Sequence, residues 1–197
     1  MVAYIFDTSL SKGVRQGHIP ARTQSARDWF RTTAKSTKTT PGHVIKEADK
    51  TQYTSTSNIG RMYLFQYDAK HKKTLPYFDQ FPLIFPIRKA KGGFYGLNMH
   101  YLPLRQRAML MDALYTTVNN TRYDESTKLK LNMKTLSGAA KFKWFRPTVH
   151  HYLTKQLRSR FVEIAAADWD TALFLPLARF QGASQNKVWQ DTRKKVS

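Results

Sequence analysis

The spacing of hydrophobic residues predicts a β-strand over residues 61–68, where side chains alternate between two faces. One face would carry aliphatic residues, and the other the aromatic rings of Tyr63, Phe65 and Tyr67. An aromatic stripe of this kind can stack on nucleic-acid bases, although it more often forms the core side of a sheet. We therefore favour burial of the three rings.

Two further strands are predicted over residues 83–88 and 94–102, on either side of a Lys-Gly-Gly hairpin signal at residues 91–93. Pro86 indicates an edge position or a bulge in the first of them, because proline cannot donate a hydrogen bond to a neighbouring strand. Together with a last strand over residues 160–164, this pattern favours a small antiparallel β-sheet or a partial barrel of SH3-like or OB-like size.

Apolar residues recur at helical spacing in much of the remaining chain. The predicted helices cover residues 25–34, 103–118, 124–141, 147–157, 167–174 and 184–195. Apart from the first helix, residues 8–58 are poor in large aliphatic side chains, which predicts an extended arm. We expect an α+β fold with flanking helices, divided into a basic arm over residues 1–58 and one domain over residues 59–197. Trp29 and Phe30 would anchor the arm on a neighbouring surface, in this chain or in a partner.

Positive charge is spread along the chain rather than collected in a tail. The 197 residues include 33 Lys and Arg against 13 Asp and Glu, a formal net charge of +20. Residues 104–163 are the most basic stretch, with twelve basic and four acidic residues. A folded surface with such an excess usually meets a polyanion, most commonly nucleic-acid phosphate. We expect contact with the DNA backbone without sequence preference, because the sequence contains no base-reading motif.

The candidate contact residues are cations that follow the first predicted strand or lie in the basic stretch. On the helical wheel of residues 124–141, three lysines fall within about 40° of one another and form a basic ridge. The basic residues from Lys143 to Arg160 would continue this ridge. The candidates for binding nucleic acid or an acidic partner are Lys70, Lys72, Lys73, Lys130, Lys134, Lys141, Lys143, Arg146, Lys155, Arg158 and Arg160. If about six phosphates are engaged, the logarithm of affinity for duplex DNA should fall with log salt at a slope near −5.

Residue types that support catalysis are scarce or poorly placed. Asp68 and Asp79 are the best nuclease candidates, but the acidic-x-Lys element of a common metal nuclease core is missing after the second strand. His150 and His151 would point about 100° apart on a helix and cannot readily share a metal. The chain has no cysteine, and its apolar runs are far shorter than the ~18 residues of a membrane-spanning helix. We therefore expect no catalytic residue, no cofactor, no metal and no membrane partner.

Three stretches of the chain carry a family resemblance. They are LPYFDQFPL at residues 75–83, GGFYGLNMHY at residues 92–101 and FLPLARFQGASQNKVWQDTRKKV at residues 174–196. In these stretches the chain resembles structural proteins of T-even-like tailed phages and cyanophages, the DNA end protector or head completion proteins. The resemblance covers residues 59–197, and the arm before it matches nothing that we can place.

The resemblance implies a virion protein that is made in the host cytoplasm and acts late in assembly, near packaged DNA or at the neck between head and tail. It brings no catalytic residues. The expected partners are other virion proteins and double-stranded DNA. An alternative hypothesis is a tail or baseplate component whose basic surface and arm dock onto acidic neighbouring subunits. A third hypothesis, from a different class, is a DNA-processing nuclease that uses Asp68 or Asp79.

Overall fold

The alternating segment predicted as the first strand lies inside an antiparallel sheet. The computed structural model describes residues 4–19, 23–48, 52–139, 143 and 145–195. Within these residues the strands are β1 (Tyr53–Thr54), β2 (Met62–Leu64), β3 (Phe78–Asp79), β4 (Leu83–Ala90), β5 (Gly93–Asn98), β6 (Val149–Leu153), β7 (Phe161–Ile164) and β8 (Phe180–Gln181). Six of these described strands form one sheet in the order β1-β7-β2-β4-β5-β6, while β3 and β8 pair separately.

Both faces of this sheet are buried at β2 and over the first half of β4. On the first face, Met62 and Leu64 pack beneath the helices, and Leu64 lies opposite Leu83 in β4. The second face is an aromatic cluster in which Tyr63 and Phe65 are fully buried. The cluster consists of Tyr63, Phe65, Tyr67, Ala69, Phe78, Ile84, Phe94, Tyr152 and Phe161. The prediction that the aromatic stripe belongs to the core is confirmed.

Pro86 lies in β4, which is a central strand between β2 and β5. The pairing of β4 with β5 shifts between Pro86 and Arg88, so a bulge accommodates the missing proline N–H. Of the two expectations for Pro86, the bulge is therefore the one found. Gly92 turns the chain between β4 and β5 with a φ of +74°, a conformation that glycine adopts without strain. The predicted hairpin is confirmed.

The helices cover the first face of the sheet and part of its rim. In the described residues they are α1 (Ile5–Arg15), α2 (Gln24–Ser36), α3 (Pro41–Glu47), α4 (Leu104–Val118), α5 (Glu125–Ala139), α6 (Trp169–Phe174) and α7 (Gln185–Lys194). Five of these described helices confirm the predictions at residues 25–34, 103–118, 124–141, 167–174 and 184–195, with ends that differ by a few residues. Leu110 and Leu114 of α4 and Trp169 of α6 are buried in the same core as the first face, and the Trp169 ring meets Phe85 of β4 edge to face with 5.1 Å between ring centres.

The prediction of a helix over residues 147–157 is wrong, because the middle of this segment forms the strand β6. The apolar residues of the segment fit a helical spacing, but β6 pairs with the otherwise open edge of β5. Gly93 makes that pairing close, since a Cβ at this position would overlap the carbonyl oxygen of Tyr152. The backbone of β6 thus gains hydrogen bonds to β5 that outweigh the local preference for a helix.

The prediction of an extended arm is also wrong, because the described part of residues 4–48 folds into α1, α2 and α3. Phe6, Ala34 and Val44 are buried in the same core as the sheet. The guanidinium of Arg31 in α2 donates to the carboxylate of Asp170 in α6 over 2.7 Å. The α+β class with an antiparallel sheet is confirmed, and we find no closed barrel within the described residues. The division of the chain at residue 58 stays a prediction.

Trp29 and Phe30 pack within this chain. Phe30 is 3% exposed and lies against α1 at Gly13, where a Cβ would collide with its ring. Trp29 is partly exposed and stacks on His18 with 5.0 Å between ring centres. The docking of a partner protein on Trp29 stays a prediction, whereas Phe30 is occupied in holding α2 on α1.

A buried arginine fixes the C-terminal helix to the rest of the molecule. Arg107 in α4 is 1% exposed and donates to the carbonyl oxygens of His100, Leu102 and Leu173. Burial lowers the pKa of Arg107 to about 9, so the side chain remains charged at neutral pH. The indole N–H of Trp189 in α7 donates to the same carbonyl of His100 over 2.9 Å. The end of α7 is thereby held next to the rim of the aromatic cluster.

Candidate nucleic-acid interface

Three separate segments of the chain are joined by backbone hydrogen bonds around residues 154–158. Residues 66–68 pair with residues 156–158 through backbone hydrogen bonds of 2.9 and 3.1 Å. The amide of Thr154 donates to the carbonyl oxygen of Gly92, at the tip of the β4–β5 hairpin, over 2.9 Å. These bonds gather exposed cations from all three segments, which we call the basic cluster. Its members are Lys70, Lys72, Lys73, Lys91, Lys155, Arg158 and Arg160.

One carboxylate lies within the basic cluster. Asp68 accepts hydrogen bonds from Lys72 over 2.9 Å and from Arg158 over 3.3 Å. The bond from Lys72, followed by the bond from Arg158, lowers the pKa of Asp68. The side chains of the other members make no ion pair with any described residue. Most of the positive charge in the cluster is therefore available to an external anion.

The remaining candidate cations form a second patch, which we call the α5 patch. Lys130 and Lys134 are exposed on α5, and Lys143 and Arg146 are exposed after it. Lys141 lies outside the described residues. The predicted ridge is not continuous with the basic cluster, because Arg146 precedes β6 and Lys155 follows it. Five strand residues, a length of about 16 Å, separate the two.

Sequence reasoning missed three cations beside the hairpin, Arg88, Lys89 and Lys91, which are exposed. The guanidinium of Arg88 lies 3.8 Å from the centre of the Tyr95 ring, a cation–π contact. The Tyr95 ring in turn stacks on His151 with 4.9 Å between centres. The sequence pattern that could have identified them is the group of basic residues on either side of the predicted hairpin turn. Such a turn lies at the surface, so its basic side chains are exposed.

The two aspartates considered for a nuclease serve other purposes. Asp68 is paired with cations of the basic cluster, whereas Asp79 is 3% exposed. The carboxylate of Asp79 accepts hydrogen bonds from Asn98 over 3.1 Å and from the His100 ring over 2.7 Å. Burial lowers the pKa of His100, so the ring is neutral and its Nδ1–H donates to Asp79. In the part of the chain that the structure describes, no group of three or more His, Asp or Glu side chains is arranged to hold a metal ion.

Comparison with known families covers nearly the whole chain. Residues 4–193 match the family model described as the Phage T4 terminal DNA protecting protein. The chain belongs to this family. The resemblance to DNA end protectors seen in the sequence is thereby confirmed, and the family description indicates a phage structural protein that protects DNA ends. No curated protein and no solved structure gives a significant match.

The family match also includes the N-terminal helices. It begins at residue 4, whereas the resemblance seen in the sequence began at residue 59. Helices α1, α2 and α3 therefore belong to the region that the family shares, in agreement with the burial of Phe6, Ala34 and Val44 in the common core. Among the described helices, none combines the length and the apolar character that crossing a membrane requires.

Proposed function

We propose that this protein binds the ends of linear double-stranded phage DNA through its basic cluster and shields them from exonucleases. It acts by occupying the phosphate backbone near the terminus and catalyses no reaction. The observation that carries the proposal is the basic cluster, where backbone hydrogen bonds bring exposed cations of distant segments together, and five of these seven cations have no ion pair among the described residues.

The composition of the basic cluster suits contact with phosphates rather than with bases. Lysine ammonium groups neutralise phosphate charge and release bound counterions, which favours binding to any sequence. The aromatic rings of Tyr63 and Phe65, which could have stacked on bases, are buried in the sheet and are not available to DNA. The family description, a terminal DNA protecting protein, supports the choice of DNA ends as the target.

An exonuclease protection assay tests this function. Linear duplex DNA is incubated with the full-length protein and then with an exonuclease that requires a free end, and the surviving DNA is measured. We expect survival with the wild-type protein and its loss in a triple variant, Lys70→Ala, Lys73→Ala and Lys155→Ala. These three side chains are exposed, so their removal leaves the core intact.

A matched triple variant controls for the loss of overall charge. Lys12→Ala, Lys38→Ala and Lys46→Ala remove the same three positive charges from exposed positions in or beside the N-terminal helices. This variant should protect DNA as the wild type does. Equal protection by both triple variants and the wild type, or an equal loss in both variants, would overturn the assignment to the basic cluster. Wild-type protein that leaves DNA ends open to the exonuclease would overturn the function itself.

Within the virion we propose a position at the head or at the head-to-tail junction, where the packaged DNA has an end. The expected partners are the DNA and other virion proteins. In the alternative, the protein belongs to the tail or baseplate, and its basic surface contacts acidic neighbouring subunits. Assembled tails purified without heads distinguish the two, because only the alternative predicts that they retain the protein.

A further inference from the structure

A cavity of about 600 Å³ opens beside the basic cluster, below the second face of the sheet. Its wall includes four tyrosines, Tyr67, Tyr77, Tyr101 and Tyr152, together with His150. Cavities that bind small molecules have volumes of roughly 300–1,000 Å³ and combine apolar walls with a few polar groups. The cavity therefore has the size and lining of a ligand site.

The aromatic wall is held in place by hydrogen bonds and ring contacts. The hydroxyl of Tyr67 accepts a bond from the amide of Leu153 over 3.2 Å, and that of Tyr152 accepts from Asn98 over 3.0 Å. Tyr67 and Tyr152 meet edge to face with 5.1 Å between their centres. Tyr77 differs from these buried rings, because it is partly exposed at the wall. It is the ring with the most surface available for stacking on a ligand.

One polar atom of the wall has no partner in the described structure. The Nε2 atom of His150 is buried and makes no hydrogen bond with any described residue. The His150 ring lies 4.1 Å from the ring of Tyr101, and burial lowers the pKa of His150 to about 4. The ring is therefore neutral, and it offers a hydrogen bond that remains unused in the protein. A nucleobase edge carries the donors and acceptors that could complete it.

The mouth of the cavity is basic. Its lining includes Lys70 and His71, which follow residues 66–68, and Lys195, which directly follows α7. Asp79 also lines the cavity, but its carboxylate is bonded to Asn98 and His100. A ligand with a flat aromatic part and a negative charge would thus place its ring inside the cavity and its charge at the mouth.

We propose that this cavity binds the unpaired terminal nucleotide of a DNA end, with its base stacked on Tyr77 and its phosphate beside Lys70. The inference rests on the proposed function, and it explains why the protein would bind DNA ends more tightly than the interior of a duplex. A base can enter the cavity only after it leaves the duplex stack. This costs a few kcal/mol inside a duplex and least at an unpaired base. The cavity therefore adds affinity at a terminus and none along the duplex.

A binding experiment compares DNA with and without accessible ends. One fluorescent duplex carries a short single-stranded overhang, and a second duplex of equal length, the closed duplex, is a relaxed, covalently closed circle with neither ends nor unpaired bases. Stacking of one base on an aromatic ring is worth roughly fivefold to 150-fold in affinity. We expect the wild-type protein to bind the overhang duplex at least about fivefold more tightly than the closed duplex.

Two substitutions of Tyr77 and one control variant locate the effect. Tyr77→Ala should lose the preference for the overhang while its affinity for the closed duplex is unchanged. Tyr77→Phe, which keeps the ring, should retain the preference. Tyr123→Ala should behave as the wild type, because Tyr123 is 40% exposed in the turn between α4 and α5. If Tyr77→Ala keeps the full preference for the overhang, the inference is wrong.

Photocrosslinking of the wild-type protein gives a second test that does not depend on the folding of a variant. A 5-iodouracil placed at the unpaired terminal position should crosslink to tyrosines of the cavity, and a free deoxynucleoside monophosphate should compete only weakly. Crosslinks that map elsewhere would overturn the inference. Full competition by the free nucleotide would also overturn it, because the site would then bind nucleotides rather than DNA ends. Absence of binding to both duplexes would instead refute the proposed function.

Discussion

Replacing Arg31 with methionine is expected to destabilise the fold strongly, because it leaves a buried carboxylate without its cation. The side chain of Asp170 is 3% exposed and accepts a hydrogen bond from Nε of Arg31 over 2.7 Å. A second carboxylate, that of Asp112, accepts from Nη2 of Arg31 over 2.8 Å but is 40% exposed. These contacts tie α2 to α6 and to α4.

The magnitude follows from the burial of the two carboxylates. Loss of one partner of a buried ion pair costs about 3–5 kcal/mol, whereas an exposed pair is worth about 0–1 kcal/mol. Asp170 therefore dominates, and Arg31→Met should lower the free energy of unfolding by about 3–5 kcal/mol. Burial raises the pKa of Asp170, and removal of Arg31 would raise it further, so the deficit should shrink at acidic pH.

Urea denaturation followed by tryptophan fluorescence measures this loss, since Trp169 is buried next to Asp170. Asp28→Asn is the control, because Asp28 is exposed and lies 3.7 Å from Arg31, and it should cost less than about 1 kcal/mol. The double variant Arg31→Met with Asp170→Leu should recover most of the stability. The reasoning is refuted if Arg31→Met costs no more than the control or if the double variant is no more stable than the single one.

Three further predictions concern charge, pH and packing. The variant lacking Lys70, Lys73 and Lys155 should show a plot of log affinity against log salt that is shallower by about 2.7, measured by fluorescence anisotropy on duplex DNA. Burial and then repulsion from Asp7 raise the pKa of Asp168 to about 6, so its contribution to stability is present below about pH 4 and is lost as the pH rises through 6. Asp168→Asn should therefore add about 3 kcal/mol at pH 7.5 and less than about 1 kcal/mol at pH 4, as seen in thermal melts. Gly93→Ala should cost about 1–3 kcal/mol in the same melts, because its Cβ overlaps the backbone of β6.

The elements with long, regular spacing could be predicted from the sequence. Helices α4 and α5 have apolar stripes over four turns, and the strand at β2 has a clear alternation, so both were found. The alternation could not show that β2 is buried on both faces. That depends on which other segments cover the aromatic rings, and those segments are distant in the chain.

Helices α1 and α3, and the packing of the N-terminal segment into the core, could not be predicted because the buried anchors of this segment are few and partly small. Phe6, Phe30 and Val44 are isolated in a stretch rich in Ser and Thr, and Gly13 and Ala34 are buried because they permit close approach of helices. Burial of small residues leaves little trace in a count of large aliphatic side chains. Tertiary packing, rather than local propensity, makes these helices stable.

The candidate site was predicted in its residue types but not in its layout. Lys70 and Lys155 are 85 positions apart, and only the backbone pairing of residues 66–68 with residues 156–158 brings their segments together. The insertion of β6 between Arg146 and Lys155 divides what the sequence suggested was one ridge. The cavity lined by tyrosines could not be predicted either, because its rings come from parts of the chain that are distant in sequence.

The burial of both faces of the sheet has a consequence for the diversity of the family. Since packed side chains fill both faces at β2, a substitution there disturbs the core whichever way the side chain points. The connections between strands carry no such constraint and accept substitutions and changes of length far more readily than packed strands do. The connections that carry the basic cluster can therefore change in sequence while the sheet itself stays constant.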